Sequence, residues 1–322
     1  MSSDSGFTLT VLGCGTMGIA IANGVLESLA AGVTPGDDVP ASLPSKFIAC
    51  VRSEKSAERV KTALAAHSSR VEVVRNDNVA SVQKAQVILL ACKPYMIKDV
   101  LGVDGMADAL KGKLLVSVCA GITAEAMEEA VYGKVLEGDA SKDGRCRCIR
   151  AMCNTAALIR ESMTVIGISN PPLADKDNAL ITWIFKQIGD VVFLPANNMD
   201  ASTALAGSGP AMFLLMLEAA TDGAVAMGVP RAEARRMAAQ TMRGATGLVQ
   251  SGEHPAVLRE NVCTPGGCTI GGLLVLEDGG ARGTISRAIR EATVVASQLG
   301  KGVQNVNDFT DGSKSIVDSK FF

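Results

Sequence analysis

The sequence predicts an α/β fold in two parts. A Rossmann-like domain with a doubly wound, mainly parallel sheet covers residues 1–195, and an all-α domain covers residues 196–322. A strand pattern at residues 7–12 runs into a G-x-G-x-x-G motif and then a helical pattern, which indicates dinucleotide binding. Strand and helix patterns alternate as far as residue 194. Beyond residue 196 almost every pattern is helical.

Composition narrows the class of protein. The 322 residues suggest about two domains. Hydrophobic residues make up 48% and aromatic residues only 3%, so the core is built mainly from aliphatic side chains. The net charge of −2 argues against a nucleic-acid surface and against electrostatic membrane binding. The mean hydropathy of +0.25 is high for a soluble monomer and favours a buried subunit interface.

The sequence also bears on location and metals. No run of about 18 uninterrupted apolar residues occurs and no basic segment opens the chain, so we expect no membrane span and no signal peptide. The nine cysteines are an odd number, and Cys146 and Cys148 are too close in sequence for common zinc spacings. We therefore expect reduced thiols, no metal and a cytoplasmic location.

The first strand leads into the cofactor motif. Gly13 allows the tight turn, Gly15 lets a pyrophosphate approach the backbone, and Gly18 lets the helix pack on the strand. A chance cluster of glycines is the alternative, and the flanking strand and helix disfavour it. The residues expected to bind the cofactor here are Gly13, Cys14, Gly15, Thr16 and Met17.

The end of the second strand predicts which cofactor is used. After a Pro/Gly-rich loop at residues 32–45, a strand at residues 46–51 ends in Val51, Arg52 and Ser53. A guanidinium and a hydroxyl suit a 2′-phosphate, whereas a NAD site usually offers an acidic residue. NADPH is therefore favoured, with NADH possible but weaker. Glu54 counts against this choice, and an exposed arginine without a ligand is the alternative.

The remaining strands complete a sheet of about eight. Their patterns cover residues 71–74, 86–92, 114–118, 148–152, 163–168 and 191–194, with helices at 78–85, 124–131 (capped by Thr123) and 175–188, and a polar loop at 133–145. Ligands bind at the carboxyl ends of such strands. The further residues expected to line the cofactor cleft are Asn78, Ala91, Cys92, Lys93, Pro94 and Ala120.

The second half reads as long helices. They cover residues 211–227, 231–250, 255–261 and 281–299, with a sharp break at residues 207–210 and a frayed tail at 302–322. Long apolar helices around no sheet need a partner surface, which favours an interlocked dimer. No lysine lies between Lys186 and Lys301, and His254, before a proline at a helix start, is more often structural than catalytic.

A glycine-rich stretch at residues 264–272 is the candidate substrate site. It is too rich in glycine for helix or strand, and its amides could form a nest for a small carboxylate. A helix starting near Thr269 would direct its positive end to the same place. The hydroxyls of Thr264 and Thr269 would be polar handles. The alternative is a tight turn between two helices with no ligand.

These motifs resemble the Δ1-pyrroline-5-carboxylate reductase family. The resemblance runs nearly end to end and is most specific at residues 260–270, ENVCTPGGCTI. It implies that residues 13–17, 51–53, 78 and 91–94 hold NADPH and that the helical half is a dimerisation domain whose partner subunit completes the site. The substrate-binding residues that it implies are Asn261, Gly266, Gly267, Cys268, Thr269 and Ser208.

The sequence departs from the family pattern in places. Ala156 stands where the family usually has proline, and Cys268 replaces a more common threonine or alanine. The loops at residues 32–45 and 133–145 look like insertions. None of these changes removes a polar group that the expected chemistry needs.

The implied reaction is NADPH-dependent reduction of Δ1-pyrroline-5-carboxylate to L-proline, the last step of proline synthesis, with hydride transfer to the imine carbon. The substrate can arrive protonated, so positioning supplies much of the catalysis, and Thr269 is the candidate catalytic residue. Alternatives are an imine reductase for a related cyclic imine and a catalytically silent NADPH-binding dimeric regulator. A β-hydroxyacid dehydrogenase would need a lysine in the helical domain.

Overall fold

The computed structural model describes residues 6–33, 39–300, 303 and 306, without the side chain of Ser141. The chain forms two compact units, one comprising Met1–Gly207 and Thr293–Phe322 and the other Ser208–Ala292. Most of the predicted tail at residues 302–322, and residues 34–38 of the first predicted loop, lie outside the described residues. The domain boundary predicted after residue 195 stays a prediction.

The first unit is built on an eight-stranded sheet, as the sequence predicts. The strand order is β3-β2-β1-β4-β5-β6-β7-β8, and only the β6–β7 pair is antiparallel. The order reverses at β1, so the crevice between β1 and β4 is the topological switch point. The strands are β1 (Phe7–Leu12), β2 (Pro44–Val51), β3 (Val71–Arg75), β4 (Val87–Leu90), β5 (Leu114–Ser117), β6 (Arg147–Met152), β7 (Ser162–Gly167) and β8 (Gly189–Leu194).

Helices and short turns connect these strands. The helices are α1 (Thr16–Ala31), α2 (Glu54–Ala63), α3 (Asn78–Gln83), α4 (Ile97–Leu101), α5 (Met106–Leu110), α6 (Ala124–Tyr132), α7 (Ala140–Asp143) and α8 (Asp175–Lys186). As predicted, Thr123 caps α6, because its hydroxyl accepts a hydrogen bond from the amide of Ala126 at 3.1 Å.

Both faces of the sheet are buried. Leu9 and Val11 of β1 pack into one apolar cluster with Val25 and Leu26 of α1, while Leu12 packs into a second cluster. Successive strand residues point to opposite faces, so one strand supplies both clusters. This explains why the strand patterns are almost continuously apolar, as a covered parallel sheet requires.

The segment between α6 and β6 folds around an arginine. The side chain of Arg145 is only 9% exposed and donates hydrogen bonds to the carbonyls of Leu136, Glu137 and Gly138. It also pairs with Asp143 at 2.7 Å. A buried guanidinium is stable only when its donors are satisfied. The loop predicted at residues 133–145 is therefore an ordered excursion that contains the one-turn helix α7.

Helices make up the second half of the chain. They are α9 (Met199–Ser202), α10 (Gly209–Ala226), α11 (Arg231–Gln250), α12 (Pro255–Asn261), α13 (Cys268–Asp278) and α14 (Ala281–Gly300). The sharp break predicted at residues 207–210 is wrong. A π-helical turn at Thr203–Ser208 joins α9 to α10, and Pro210 lies in the first turn of α10, where a missing N–H is tolerated.

By length and composition alone, the helical stretch Ala196–Ala226 is apolar enough to cross a membrane, and 22% of its most apolar window is buried. Glu218 and Asp222 interrupt the apolar run, so the stretch does not contain the uninterrupted apolar sequence that was expected of a span. Leu214 and Leu215 of this stretch are 62% and 67% exposed. Such a helix therefore presents an apolar surface that needs a covering layer.

Candidate active site

The residues predicted to bind the cofactor all lie at the carboxyl ends of parallel strands. Val51 is the last residue of β2 and is buried. Residues 13–17 follow β1, residues 52 and 53 follow β2, Asn78 follows β3, residues 91–94 follow β4, and Ala120 follows β5. Because these strands run in the same direction, their carboxyl ends share one edge of the sheet. The structure therefore gathers the predicted cofactor residues along this edge.

The two outer glycines of the motif are required by close packing. Gly13 has φ of 73°, and a Cβ there would lie 2.6 Å from the Cα of Cys92. A Cβ on Gly18 would lie 2.8 Å from Cγ1 of Val11. Both distances are well inside van der Waals contact, so a side chain at either position would separate β1 from α1 or from the end of β4. These are the roles predicted for a dinucleotide-binding turn.

The start of α1 is open to an anion. Gly15 is the N-cap of α1, and no side chain among the described residues caps this end. The first amides of a helix lack partners within the helix and attract negative charge. The adjacent Thr16 is exposed. A pyrophosphate fits this bare turn, so the residues present suit a dinucleotide.

Cys14 contributes its backbone alone. Its side chain is 1% exposed, and burial raises the pKa of its thiol to about 12, with neighbouring Cys50 acting in the same direction. The charge of Arg59 acts in the opposite direction. The thiol therefore remains protonated near neutral pH and packs as a small apolar group. The amide of Cys14 donates to the Cys50 carbonyl at 2.9 Å, which ties the turn to β2.

The three residues after β2 make different contacts. Arg52 is exposed, whereas the hydroxyl of Ser53 accepts from the amide of Ser56 and caps α2. Glu54, which counted against a 2′-phosphate, forms an ion pair with Arg75. Its negative charge is therefore offset, and Arg52 remains as the cation that faces solvent at the end of β2.

The other predicted residues lie along the same edge. Asn78 is half-buried in the first turn of α3, and Lys93 and Ala120 are exposed. Cys92 is half-buried, and its carbonyl accepts a hydrogen bond from the thiol of Cys119 at 3.1 Å. Since β4 and β5 are neighbours, this bond links their ends beside the switch point.

The glycine-rich stretch forms a turn and a helix start. Gly266 has φ of 68°, and the amide of Gly267 donates to the carbonyl of Thr264 at 2.9 Å. Gly267 is the N-cap of α13, and within the described chain no side chain caps it. The turn leaves the first amides of α13 available to an anion, which is the arrangement predicted for a carboxylate.

α13 begins at Cys268, next to the start predicted near Thr269, but it extends further into the glycine-rich stretch than expected. Residues 264–272 were expected to be neither helix nor strand, but α13 begins at Cys268 and includes Gly271 and Gly272. Each glycine in a helix costs only about 1 kcal/mol relative to alanine, and the rest of the helix can offset this cost. Because Pro265 has no N–H and the amide of Gly267 is bonded to Thr264, the amides left for a carboxylate are mainly those of the first turn of α13.

The side chains expected to meet the substrate have different surroundings. Thr269 is half-buried in the first turn of α13, and Cys268 beside it is exposed. Asn261 is the last residue of α12 and is exposed, as is Ser208 at the N-cap of α10. One continuous turn contains Gly266, Gly267, Cys268 and Thr269, whereas Asn261 and Ser208 belong to other helices.

Arg59 is the residue that sequence reasoning missed. It lies on α2, and its Nη2 atom would be 3.6 Å from a Cβ placed on Gly15. The sequence shows only that Arg59 lies on a helix that follows Arg52. It does not show that this helix packs beside the glycine turn. Its guanidinium lies beside the bare amides of the cofactor turn.

Comparison with known proteins agrees with this arrangement. Residues 196–299 match a family described as pyrroline-5-carboxylate reductase dimerisation, and residues 8–121 match one described as NADP oxidoreductase, coenzyme F420-dependent. A pyrroline-5-carboxylate reductase of Lophium arboricola is 62% identical over 309 residues, covering 94% of this chain and 96% of the relative. The chain belongs to the pyrroline-5-carboxylate reductase family. The resemblance predicted from its motifs is therefore confirmed.

Other members support the same conclusion. A pyrroline-5-carboxylate reductase of Neurospora crassa is 52% identical, covering 95% of this chain and 97% of the relative. The solved pyrroline-5-carboxylate reductase of Coxiella burnetii has a TM-score of 0.73 at 27% identity, covering 90% of this chain and 97% of that one. The predicted fold class, a Rossmann-like domain followed by an all-α dimerisation domain, is confirmed.

Proposed function

We propose that this protein reduces Δ1-pyrroline-5-carboxylate to L-proline with NADPH. The observation that carries the proposal is the match over almost the whole chain to proteins named as this reductase, at up to 62% identity among those compared. The two bare turns, at Gly15 and at Gly267, add sites for a dinucleotide pyrophosphate and for a small carboxylate.

Residues of the second unit, Ser208–Ala292, called the helical unit here, position the substrate. The amides that open α13 bind the carboxylate, and the hydroxyl oxygen of Thr269 accepts a hydrogen bond from the protonated ring nitrogen. When bound, NADPH would supply the hydride for the imine carbon, which converts the C=N bond to C–N and leaves NADP⁺. Because the nitrogen already carries its proton, the amine forms without a protein acid, which suits a helical half that has one histidine and no lysine from residue 187 to residue 300.

The residues at the end of β2 set the cofactor preference. Arg52 is exposed there, and Glu54 is already paired with Arg75. A free guanidinium makes strong, bidentate contacts with a phosphate. Arg52 therefore favours NADPH over NADH by binding the 2′-phosphate.

A second copy of this chain covers the apolar surface of the helical unit. Leu215, Leu274 and Val275 are 67%, 62% and 72% exposed, and the matching family is described by its dimerisation. Burial of such side chains stabilises association by roughly 1.5–3 kcal/mol each.

A cytoplasmic location is part of the proposal. All nine cysteines lie in the described part of the chain, and each is a free thiol. Free thiols are typical of reducing compartments. Imaging of the full-length protein with a small tag, beside a cytoplasmic marker, tests this point.

The direct test is turnover. Purified protein should oxidise NADPH when Δ1-pyrroline-5-carboxylate is added, with proline as product by chromatography. NADH should support a slower reaction, and the six-membered-ring imine acid should be a poorer substrate. Faster reduction of another cyclic imine would favour an imine reductase. Tight NADPH binding with no turnover on any imine would indicate a binding protein and contradict the proposal.

A further inference from the structure

Arg59 is a cation beside the cofactor turn, and its charge is unpaired within the described part of the chain. It lies on α2, two residues before Lys61, and is exposed. Its Nη2 atom would be 3.6 Å from a Cβ on Gly15, the nearest heavy atom to that position. Across residues 6–33 and 39–300 no hydrogen bond or ion pair engages its guanidinium.

The acidic residues around Arg59 are already engaged. On the same helix Glu54 pairs with Arg75, and Glu58 pairs with Lys61 at 2.8 Å. The positive charge of Arg59 therefore has no neutralising partner on α2. Its field reaches the glycine turn, because it lowers the pKa of the Cys14 thiol against the larger effect of burial. A cation held in this way favours an anion at the same turn.

The position of Arg59 beside Gly15 indicates which phosphate of the cofactor it can contact. In a G-x-G-x-x-G turn the second glycine is the point where the pyrophosphate approaches the backbone, and Gly15 is that glycine. The 2′-phosphate belongs at the end of β2, where Arg52 lies. Because Gly15 has no side chain, both the Arg59 guanidinium and an anion can approach the start of α1. An anion there would meet helix amides on one side and a guanidinium on the other.

We infer that Arg59 binds the pyrophosphate of the dinucleotide, clamping it against the amides that open α1. This inference rests on the proposed function for the identity of the cofactor. It separates the tasks of two arginines: Arg59 holds a group shared by NADPH and NADH, and Arg52 holds a group found only in NADPH. The planar fork of an arginine donates two parallel hydrogen bonds to phosphate oxygens, which a lysine does not reproduce.

The test measures cofactor binding without substrate. Dissociation constants for NADPH and NADH are determined by calorimetry for the wild-type protein, Arg59→Ala, Arg59→Lys, Arg52→Ala and the control Lys61→Ala. Loss of a charge-assisted hydrogen bond gives an expected change of about tenfold. Arg59→Ala should raise both constants by about that factor and leave their ratio unchanged, with Arg59→Lys in between. Arg52→Ala should raise the constant for NADPH alone, and Lys61→Ala should change neither.

Several outcomes would overturn the inference. Unchanged constants for Arg59→Ala would show that the guanidinium makes no contact. A loss confined to NADPH would place Arg59 on the 2′-phosphate instead. An equal loss in Lys61→Ala would show a general effect of charge. Thermal unfolding without cofactor checks that each variant is folded. Because binding is measured without an imine, failure of the reductase assay leaves this test intact.

Discussion

Gly13 and Cys92 lie backbone against backbone where β1 and β4 end: a Cβ on Gly13 would lie 2.6 Å from the Cα of Cys92. Gly13→Ala should therefore lower the free energy of unfolding by about 2–4 kcal/mol, from backbone strain at φ of 73° and from the clash. Gly133→Ala is the matched control, since its φ is 75° and no described atom lies within 4 Å of its Cβ position. Urea unfolding of both variants measures the difference, and equal losses would contradict a role for packing.

Arg52→Asp should weaken the use of NADPH more than the use of NADH. The change replaces a cation that faces the 2′-phosphate with an anion that repels it. We expect kcat/KM for NADPH to fall by more than tenfold, about 1.4 kcal/mol, while that for NADH changes little. Initial rates at a fixed imine concentration give both values. An unchanged ratio would place the 2′-phosphate elsewhere.

Thr269→Ala should lower kcat/KM for Δ1-pyrroline-5-carboxylate by about tenfold or more, because the ring nitrogen loses its hydrogen-bond acceptor. Thr246→Ala is the control: its hydroxyl donates to the Met242 carbonyl of its own helix at 2.9 Å. A pyrroline without the carboxylate should be a poor substrate for wild type and variant alike, since it lacks the group that the turn binds. Wild-type turnover by Thr269→Ala would remove this residue from the mechanism.

Leu215→Glu should weaken self-association. Leu215 is 67% exposed on α10, and a buried carboxylate at a subunit interface costs several kcal/mol. Sedimentation over a range of concentrations should show a shift toward monomer. Lys134→Glu, an exposed change in the segment before α7, is the control and should leave the distribution unchanged. The same distribution for both variants would place the interface on another face.

Buried thiols should make the fold sensitive to alkali. Burial raises the pKa of Cys14 and Cys153 from 9.0 to about 12. Below pH 9 these thiols are protonated in both states, so they add no pH dependence. Above it they ionise in the unfolded chain first. The unfolded state then binds fewer protons, and the free energy of unfolding falls as pH rises toward 12, by up to about 1.4 kcal/mol per pH unit for each thiol.

Urea unfolding at about pH 8 and about pH 10 measures this effect. Cys153→Ala removes one of the two thiols and should make the decline shallower, whatever its own effect at neutral pH. A decline identical to that of the wild-type protein would mean that Cys153 does not titrate as its burial requires.

The strands and most helices were predictable because local composition decides them. The run of residues 7–12 is β1 to the residue, and α11 and α12 begin and end where the pattern does. The break expected at residues 207–210 was wrong because a π turn depends on hydrogen bonds along the helix that glycine and proline counts do not show. Likewise, the high glycine content of residues 264–272 concealed the fact that Gly271 and Gly272 belong to α13.

The glycine turns of the candidate site were predictable from sequence, whereas the side chains that pack beside them from other elements were not. Gly13 and Gly15 follow from a motif whose spacing has a steric cause. Arg59 did not, because its position beside Gly15 depends on how α2 packs on the sheet. The ion pair that offsets Glu54 likewise joins two residues from different strand ends. Tertiary structure, not local pattern, decides such pairings.

The excursion that folds around Arg145 has a consequence for where this chain can accept added residues. The carbonyls of residues 136–138, before α7, accept hydrogen bonds from Arg145, which lies just before β6. The two ends of the segment are therefore joined before the chain enters β6. Lys134 is exposed at its start, so residues added there should leave the pairing of β5 with β6 unchanged. A peptide or reporter inserted there should therefore lie outside the sheet, because the hydrogen bonds of Arg145 hold the two ends of the segment together.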